Sequence, residues 1–277
     1  MVKVMPLPYH CTTYHFTTRF YVVPIGRTMG RRAKKGGPKG PGPSWVIVVK
    51  LGVLQTMKPK LGKLPPSQRK LWAELGQVGP RFVLYGGTAI SVRIAHRESV
   101  DFDLFSSLPF DPDKLLRSIP FLRGATPVQV APNTLTCEVD RGDPIKISFF
   151  GGLDLRRAAD PDRSADNGLF VASLLDLAAT KLKTLWQRAA YKDYFDIDSL
   201  LQHGIDLAAA LSAAKAVYGP AFNPLISLKA LTYFEEGDVS RLTSEAKERL
   251  RKAVREVNVA QLPERSGRLK INEGLSS

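Results

Sequence analysis

Leu84-Tyr85-Gly86-Gly87-Thr88-Ala89, followed by Ser99-Val100-Asp101-Phe102-Asp103-Leu104-Phe105, is the stretch on which the fold turns. Arg81 to Tyr85 reads as a buried strand, Gly86-Gly87 as a turn, and Thr88 to His96 as a helix of small residues. Asp101 to Phe105 reads as a second strand. Two glycines between a buried strand and a helix let the backbone approach a ligand closely. Their amides, with the helix N-terminus, form an electropositive nest for phosphate oxygens. Residues two apart on a strand share a face, so Asp101 and Asp103 project together while Phe102 and Leu104 turn to the core. Adjacent carboxylates repel, and the usual compensation is a hard divalent cation such as Mg²⁺, its shell completed by phosphate oxygens and water. A Gly-Gly step is also a common connector, and Asp-x-Asp a common solvated edge or cap. Together at this spacing, however, they describe a site for a metal-bound nucleoside triphosphate.

Outward from this stretch the pattern alternates. Pro65-Pro66-Ser67 precedes a helix over Gln68 to Leu75, with Leu71, Trp72 and Leu75 on one side and Gly76 and Gly79-Pro80 ending it. Asp111-Pro112 opens a helix through Ile119, and strands are expected over Val128 to Ala131, Thr134 to Val139 and Ile145 to Phe150. After Ser173 the chain turns helical, in three or more segments. Ser173 caps the first of these with Asp176 three residues on, and Leu174, Leu177, Ala178, Leu182 and Leu185 form its apolar stripe. Lys181 and Arg188 lie near one face of it, and Asp193 and Asp196 share a face in the following Tyr191-Lys192-Asp193-Tyr194-Phe195-Asp196 run. That cluster either neutralises a triphosphate, with an acid as base or as orienter of Lys181, or is a salt-bridge ladder between two helices.

Composition sets the limits. The 277 residues are 44% apolar and 24% charged, which is ordinary for a globular chain of one large or two small domains. No window approaches ~18 uninterrupted apolar residues, which excludes a helical membrane span. Cys11 and Cys137 cannot make a disulfide framework, so a reducing, cytoplasmic setting is expected. Of the net charge of +14, residues 1–56 carry +9 from nine Lys/Arg and no acid, leaving +5 for the remainder. Residues 30–43 are a Gly/Pro/basic tract unable to build a helix or strand; it reads as a disordered tail, an early-called start, or an arm that touches phosphates. The expected organisation is a leader over 1–56, an α/β core over 57–170 and a helical lobe over 171–277.

Taken together, the motifs resemble the AbiEii/AbiGii-type nucleotidyltransferase toxin family, a branch of the polymerase-β-like nucleotidyltransferases, over most of residues 64–202. Leu84 to Ala89 is similar to the first family motif, and Arg97-Glu98-Ser99-Val100-Asp101-Phe102-Asp103 to its Arg-x-Ser-x-Asp-x-Asp second. Asp176 to Lys181 resembles the third, and Arg188 to Asp196 the fourth. The resemblance implies an α/β (α+β) mixed-sheet nucleotidyltransferase core with a helical C-terminal lobe completing the active site. It implies transfer of a nucleoside monophosphate from an NTP, with tRNA or other RNA as acceptor. It also implies the toxin half of a toxin–antitoxin or phage-defence pair, with an antitoxin protein as partner and no membrane.

On that basis Asp101 and Asp103 would hold Mg²⁺, and Gly86, Gly87 and Thr88 the phosphates. Lys181 would contact the triphosphate and Asp193 would be the fourth-motif acid, supported by Asp196; Arg97, Ser99, Arg188 and Lys192 complete the expected nucleotide-binding set. One departure stands out: where many of these enzymes place a third carboxylate on a neighbouring strand, this chain has Ser148. That keeps open a nucleotide- or RNA-binding scaffold with weakened turnover, and the modest charge of the domain keeps open a protein or small-molecule acceptor. His96 reads as a helix-end residue, Cys137 as core, and Trp72 and Trp186 as packing.

Overall fold

A computed structural model describes residues 55–265, 267 and 269–275. The Gly/Pro-rich tract, with His10, Cys11 and His15, lies outside the described residues. The elements in chain order are β1 (Thr56–Met57), α1 (Pro66–Glu74), β2 (Val83–Tyr85), α2 (Gly86–Ile94), β3 (Phe102–Phe105), α3 (Pro112–Ser118), β4 (Thr126–Ala131), β5 (Thr134–Asp140) and β6 (Pro144–Phe150). They continue with β7 (Asp162–Ser164), β8 (Phe170–Val171), α4 (Leu174–Thr184), α5 (Tyr191–Gln202), α6 (Leu207–Tyr218), α7 (Pro224–Ala230) and α8 (Ser244–Glu256). The eight strands make one mixed sheet in the order β1-β7-β8-β2-β3-β6-β5-β4. At its centre β2 runs antiparallel to β3, while β3 is parallel to β6 and β2 parallel to β8.

The period-two reading of β3 holds. Phe102 and Leu104 are fully buried, whereas Asp101, Asp103 and Phe105 stay partly exposed on the opposite face. Register then lines up a row across the sheet: Tyr85 opposite Asp103, Asp103 opposite Ser148, and Ser148 opposite Thr136. Ser148 therefore occupies the position expected for it beside Asp103. It is buried, and Thr136 Oγ1 donates to its Oγ at 3.2 Å.

Several element ends shift by one or two residues, and two differences at the β2–α2 unit bear on the site. The diglycine is the first turn of α2 rather than a separate turn, because Gly86 makes the strand-to-helix corner by itself at φ +76°. The helix stops at Ile94, two residues early, because Ala95 adopts a left-handed conformation (φ 56°, ψ 35°) and its amide closes onto Ser91 O. Strands β1, β7 and β8 were not expected; they are two or three residues long, and Asp162-Arg163-Ser164 carries no apolar signal.

After β8 the helical segment begins as expected. Ser173 Oγ accepts from the Asp176 amide at 3.0 Å and donates to Asp176 Oδ2 at 2.6 Å. The carboxylate of Asp176 also takes the amides of Ala158 and Ala159, at 2.7 and 3.1 Å, so it anchors the loop before β7. Burial pushes its carboxyl up, and these hydrogen bonds oppose the rise. Leu177, Ala178, Leu182 and Leu185 are buried along α4, each leucine contributing roughly 1.5–3 kcal/mol. Cys137 and Trp72 are core residues. Trp186 stacks on Phe222 and donates to Ser227 Oγ at 2.8 Å, as packing demands. Among the described residues no helix is long and apolar enough to cross a membrane.

Candidate active site

A cavity of about 230 Å³ opens where the β2–α2 corner, β3, α4 and the start of α5 meet. Gly86, Gly87, Arg97, Ser99, Asp101 and Asp103 line one side. Lys181, Arg188, Lys192 and Asp193 line the other. The structure thus brings together residues separated by about 90 positions in the chain. Thr88 and Asp196 lie behind the wall rather than on it. Lys183 turns away, with its ammonium on Ala221 O and over the Trp186 ring.

The glycines are demanded by what sits above them. A Cβ on Gly86 would collide with the Asp103 carboxylate, and one on Gly87 would lie 2.6 Å from Arg97 Nη2 and 3.0 Å from Ser99 Oγ. Thr88, fully buried, hydrogen-bonds through Oγ1 to the Asp101 carbonyl and to Ser99 Oγ, which locks the second motif against the first. Gly86→Ala is expected to lower stability by about 1–3 kcal/mol through its positive φ and to displace Asp103. Gly87→Ala is expected to push Arg97 Nη2 off the buried Asp196 and so also to lower the urea midpoint. Urea titration paired with a transfer assay checks both variants.

The carboxylates around the cavity divide into two kinds. Asp193 accepts Lys181 Nζ on Oδ1 at 2.7 Å and Arg188 Nε on Oδ2 at 2.8 Å. Asp196 accepts three hydrogen bonds, from His96 Nε2 and Arg97 Nε on Oδ1, both at 2.6 Å, and from Arg97 Nη2 on Oδ2 at 2.8 Å. It also forms an ion pair with Lys181 Nζ, 2.7 Å from Oδ2. Both acids are fully buried, so desolvation pushes their carboxyls up. For Asp193 the Arg188 and Lys181 contacts outweigh it, and for Asp196 the His96 bond and the Lys181 and Arg97 charges do, so both end below the usual carboxylate range. The salt-bridge reading of this cluster is therefore realised, and the cations Lys181 and Arg188 also line the cavity.

Asp101 and Asp103 are the other kind. Among the described residues neither forms an ion pair. Burial, and then the neighbouring Asp101 charge, push the Asp103 carboxyl up, against the pull of Lys146, Lys181 and Arg188. Two carboxylates, one in β3 and one just before it, without an ion pair among the described residues and lining a cavity, form a hard oxygen donor set that fits a divalent cation. No group of three or more His, Cys, Asp or Glu among the described residues could hold a metal, so any ion here would share its shell with substrate oxygens and water.

Tyr85 and Phe105 stack at 4.8 Å and 12° and line the same cavity, with Thr180 and Thr184 opposite. Sequence reasoning gave these residues no part, although Phe105 stands two positions beyond Asp103 and Thr184 one turn before Arg188. His96 was missed as well, since its partner lies 100 residues away.

A free Asp-x-Asp pair facing a diglycine helix start and a bank of cations has the layout of a nucleotidyltransferase cleft. The fold agrees. MenT4, a nucleotidyltransferase toxin of Mycobacterium tuberculosis H37Rv, superposes with a TM-score of 0.50 at 15% identity, over 70% of this chain and 83% of that one. The family described as "Nucleotidyl transferase AbiEii toxin, Type IV TA system" matches residues 70–264. The chain therefore belongs to the AbiEii nucleotidyltransferase toxin family and is a nucleotidyltransferase. An uncharacterized protein of Aquifex aeolicus (strain VF5) is 31% identical over 205 residues, 70% of this chain and 97% of that protein.

Proposed function

We propose that this chain transfers a nucleoside monophosphate from an NTP to a hydroxyl of RNA, with tRNA as the acceptor class and Mg²⁺ held by Asp101 and Asp103. In this reading it is a cytoplasmic toxin restrained by a cognate antitoxin and serving in phage defence. The observation that carries the reading is the difference in pairing: Asp176, Asp193 and Asp196 are consumed by protein donors, whereas Asp101 and Asp103 meet the cavity without one. When bound, Mg²⁺ supplies neutralising charge at the phosphates. The amides of Gly86 and Gly87 and the hydroxyl of Ser99 cradle phosphate oxygens. Lys181, Arg97 and Arg188 hold the triphosphate, and Lys192 guides the acceptor. Thr88 and Asp196 act from behind, by fixing Ser99, Arg97 and Lys181. Catalysis is mostly positioning and electrostatic neutralisation.

A second reading rests on Ser148 and Asp193. Ser148 holds the place of a third strand carboxylate, and both Asp193 oxygens are occupied by cations, so neither supplies a free base. This favours a scaffold that binds nucleotide or RNA with little turnover. Each α-³²P-labelled NTP, incubated with the protein, Mg²⁺ and total RNA and resolved on a gel, separates the two. Label on an RNA band supports the transferase reading. NTP binding by calorimetry with no labelled product in any mixture supports the scaffold, and label on protein or a small molecule moves the acceptor to another class.

A further inference from the structure

His96 is the one member of the Asp196 cluster that carries no obligatory charge and no place in the cavity wall. Its side chain is 3% exposed, and Nε2 lies 2.6 Å from Asp196 Oδ1. Nδ1 is buried and has no hydrogen-bond partner among the described residues. The ring stacks on Phe195 at 6.0 Å and 17°, and Phe195 stacks on Tyr191 in turn. A carboxylate only accepts, so Nε2 carries the proton. A second N–H at Nδ1 would have no acceptor among the described residues. The contact thus assigns Nε2 as the donor.

The backbone is bent to bring this donor in. His96 and Arg97 are consecutive, yet both reach the same carboxylate, because Ala95 turns left-handed and Ser91 Oγ donates to Arg97 O at 2.7 Å. A carboxylate has about four lone-pair sites, and Asp196 fills three of them with His96 Nε2, Arg97 Nε and Arg97 Nη2, while Lys181 Nζ stands 2.7 Å from Oδ2 as an ion pair. The imidazole donor takes one of these sites without drawing a third cation from the cleft.

We propose that His96 is a positioning residue for nucleotidyl transfer. It donates from Nε2 to Asp196, and Asp196 so fixed aims Arg97 and Lys181 at the cavity. The catalytic part of this inference rests on the proposed nucleotide site; the hydrogen bond does not. Arg97 and Lys181 grip the triphosphate before and during reaction, so their misalignment should appear chiefly in KM.

The test compares wild type, His96→Gln and His96→Leu. Gln keeps an N–H donor in the place of Nε2, whereas Leu keeps only the bulk. Under Mg²⁺ with α-³²P-labelled NTP and total RNA, His96→Leu is expected to raise the NTP KM by about 10- to 100-fold with a much smaller change in kcat, the scale of a lost charge-assisted hydrogen bond. His96→Gln should stay within about threefold of wild type, with melting temperatures reported for all three chains. Histidine ¹⁵N spectra of the wild type, assigned by the signal lost in His96→Gln, should show a proton on Nε2.

An unprotonated Nε2, wild-type KM in His96→Leu, or equal losses in both variants overturns the proposal. A wild-type chain that binds NTP but transfers nothing overturns the transferase reading, and the NTP affinities of the three chains then decide the role of His96. Were the wild type to bind no NTP, the positioning role would fall with the site, whatever the spectrum showed.

Discussion

Asp101→Asn and Asp103→Asn are each expected to cut nucleotidyl transfer by at least about 10³-fold, while the fold survives and, for Asp103→Asn, gains stability. The activity loss follows from the donor set, because a neutral amide offers a hard cation one weak oxygen in place of a charged one. The stability gain follows from the environment. Asp103 is pushed up by burial and by Asp101, so its ionised form costs the folded state more than the unfolded one. Above the folded carboxyl's pKa that cost is fully present, and Asn removes it. Label transfer and urea titration at neutral pH check both halves. Wild-type transfer from either variant would overturn the assignment of the pair.

Lys181→Met is expected to destabilise the chain by about 3–5 kcal/mol and to abolish NTP binding, because it strips a shared partner from two buried carboxylates. Lys181 Nζ lies 2.7 Å from both Asp193 Oδ1 and Asp196 Oδ2, and Arg188, Arg97 and His96 compensate only part of its loss. The pH dependence has a defined sign. Both carboxyls sit below their ordinary range when folded, so the stability they bring is present above the unfolded carboxylate pKa and is lost as pH falls through the folded values. Urea midpoints followed from neutral to acid pH should fall steeply for wild type. The variant should start lower and fall less.

How much of this was legible in the sequence depended on range. The Asp101/Asp103 face needed only strand period two, and the buried Phe102 and Leu104 bear it out. Ser148 beside Asp103 needed one register, which the apolar run over Ile145 to Phe150 supplied. The cap at Ser173 and the stripe of α4 were equally local. Hidden were features set by long-range contact or by a single dihedral. Spacing left the Lys181, Arg188, Asp193 and Asp196 cluster undecided because their partners His96 and Arg97 arrive from across the chain. Nothing in the residue type of Ala95 announces a left-handed turn, and three strands were too short to show an alternation.

Arg188 has a divided character. Its side chain is 63% exposed, although its guanidinium rests on the fully buried Asp193. The Asp196 carboxylate and the His96 ring behind it are buried. Added salt shields charges in water within about 10 Å at 0.1 M but reaches enclosed pairs far less. Rising ionic strength should therefore loosen whatever the cleft's rim recruits from solution long before it disturbs the interior wiring. In the proposed reading, a grip on a polyanion at that rim is tunable by its medium, while the pairing of the buried acids is not.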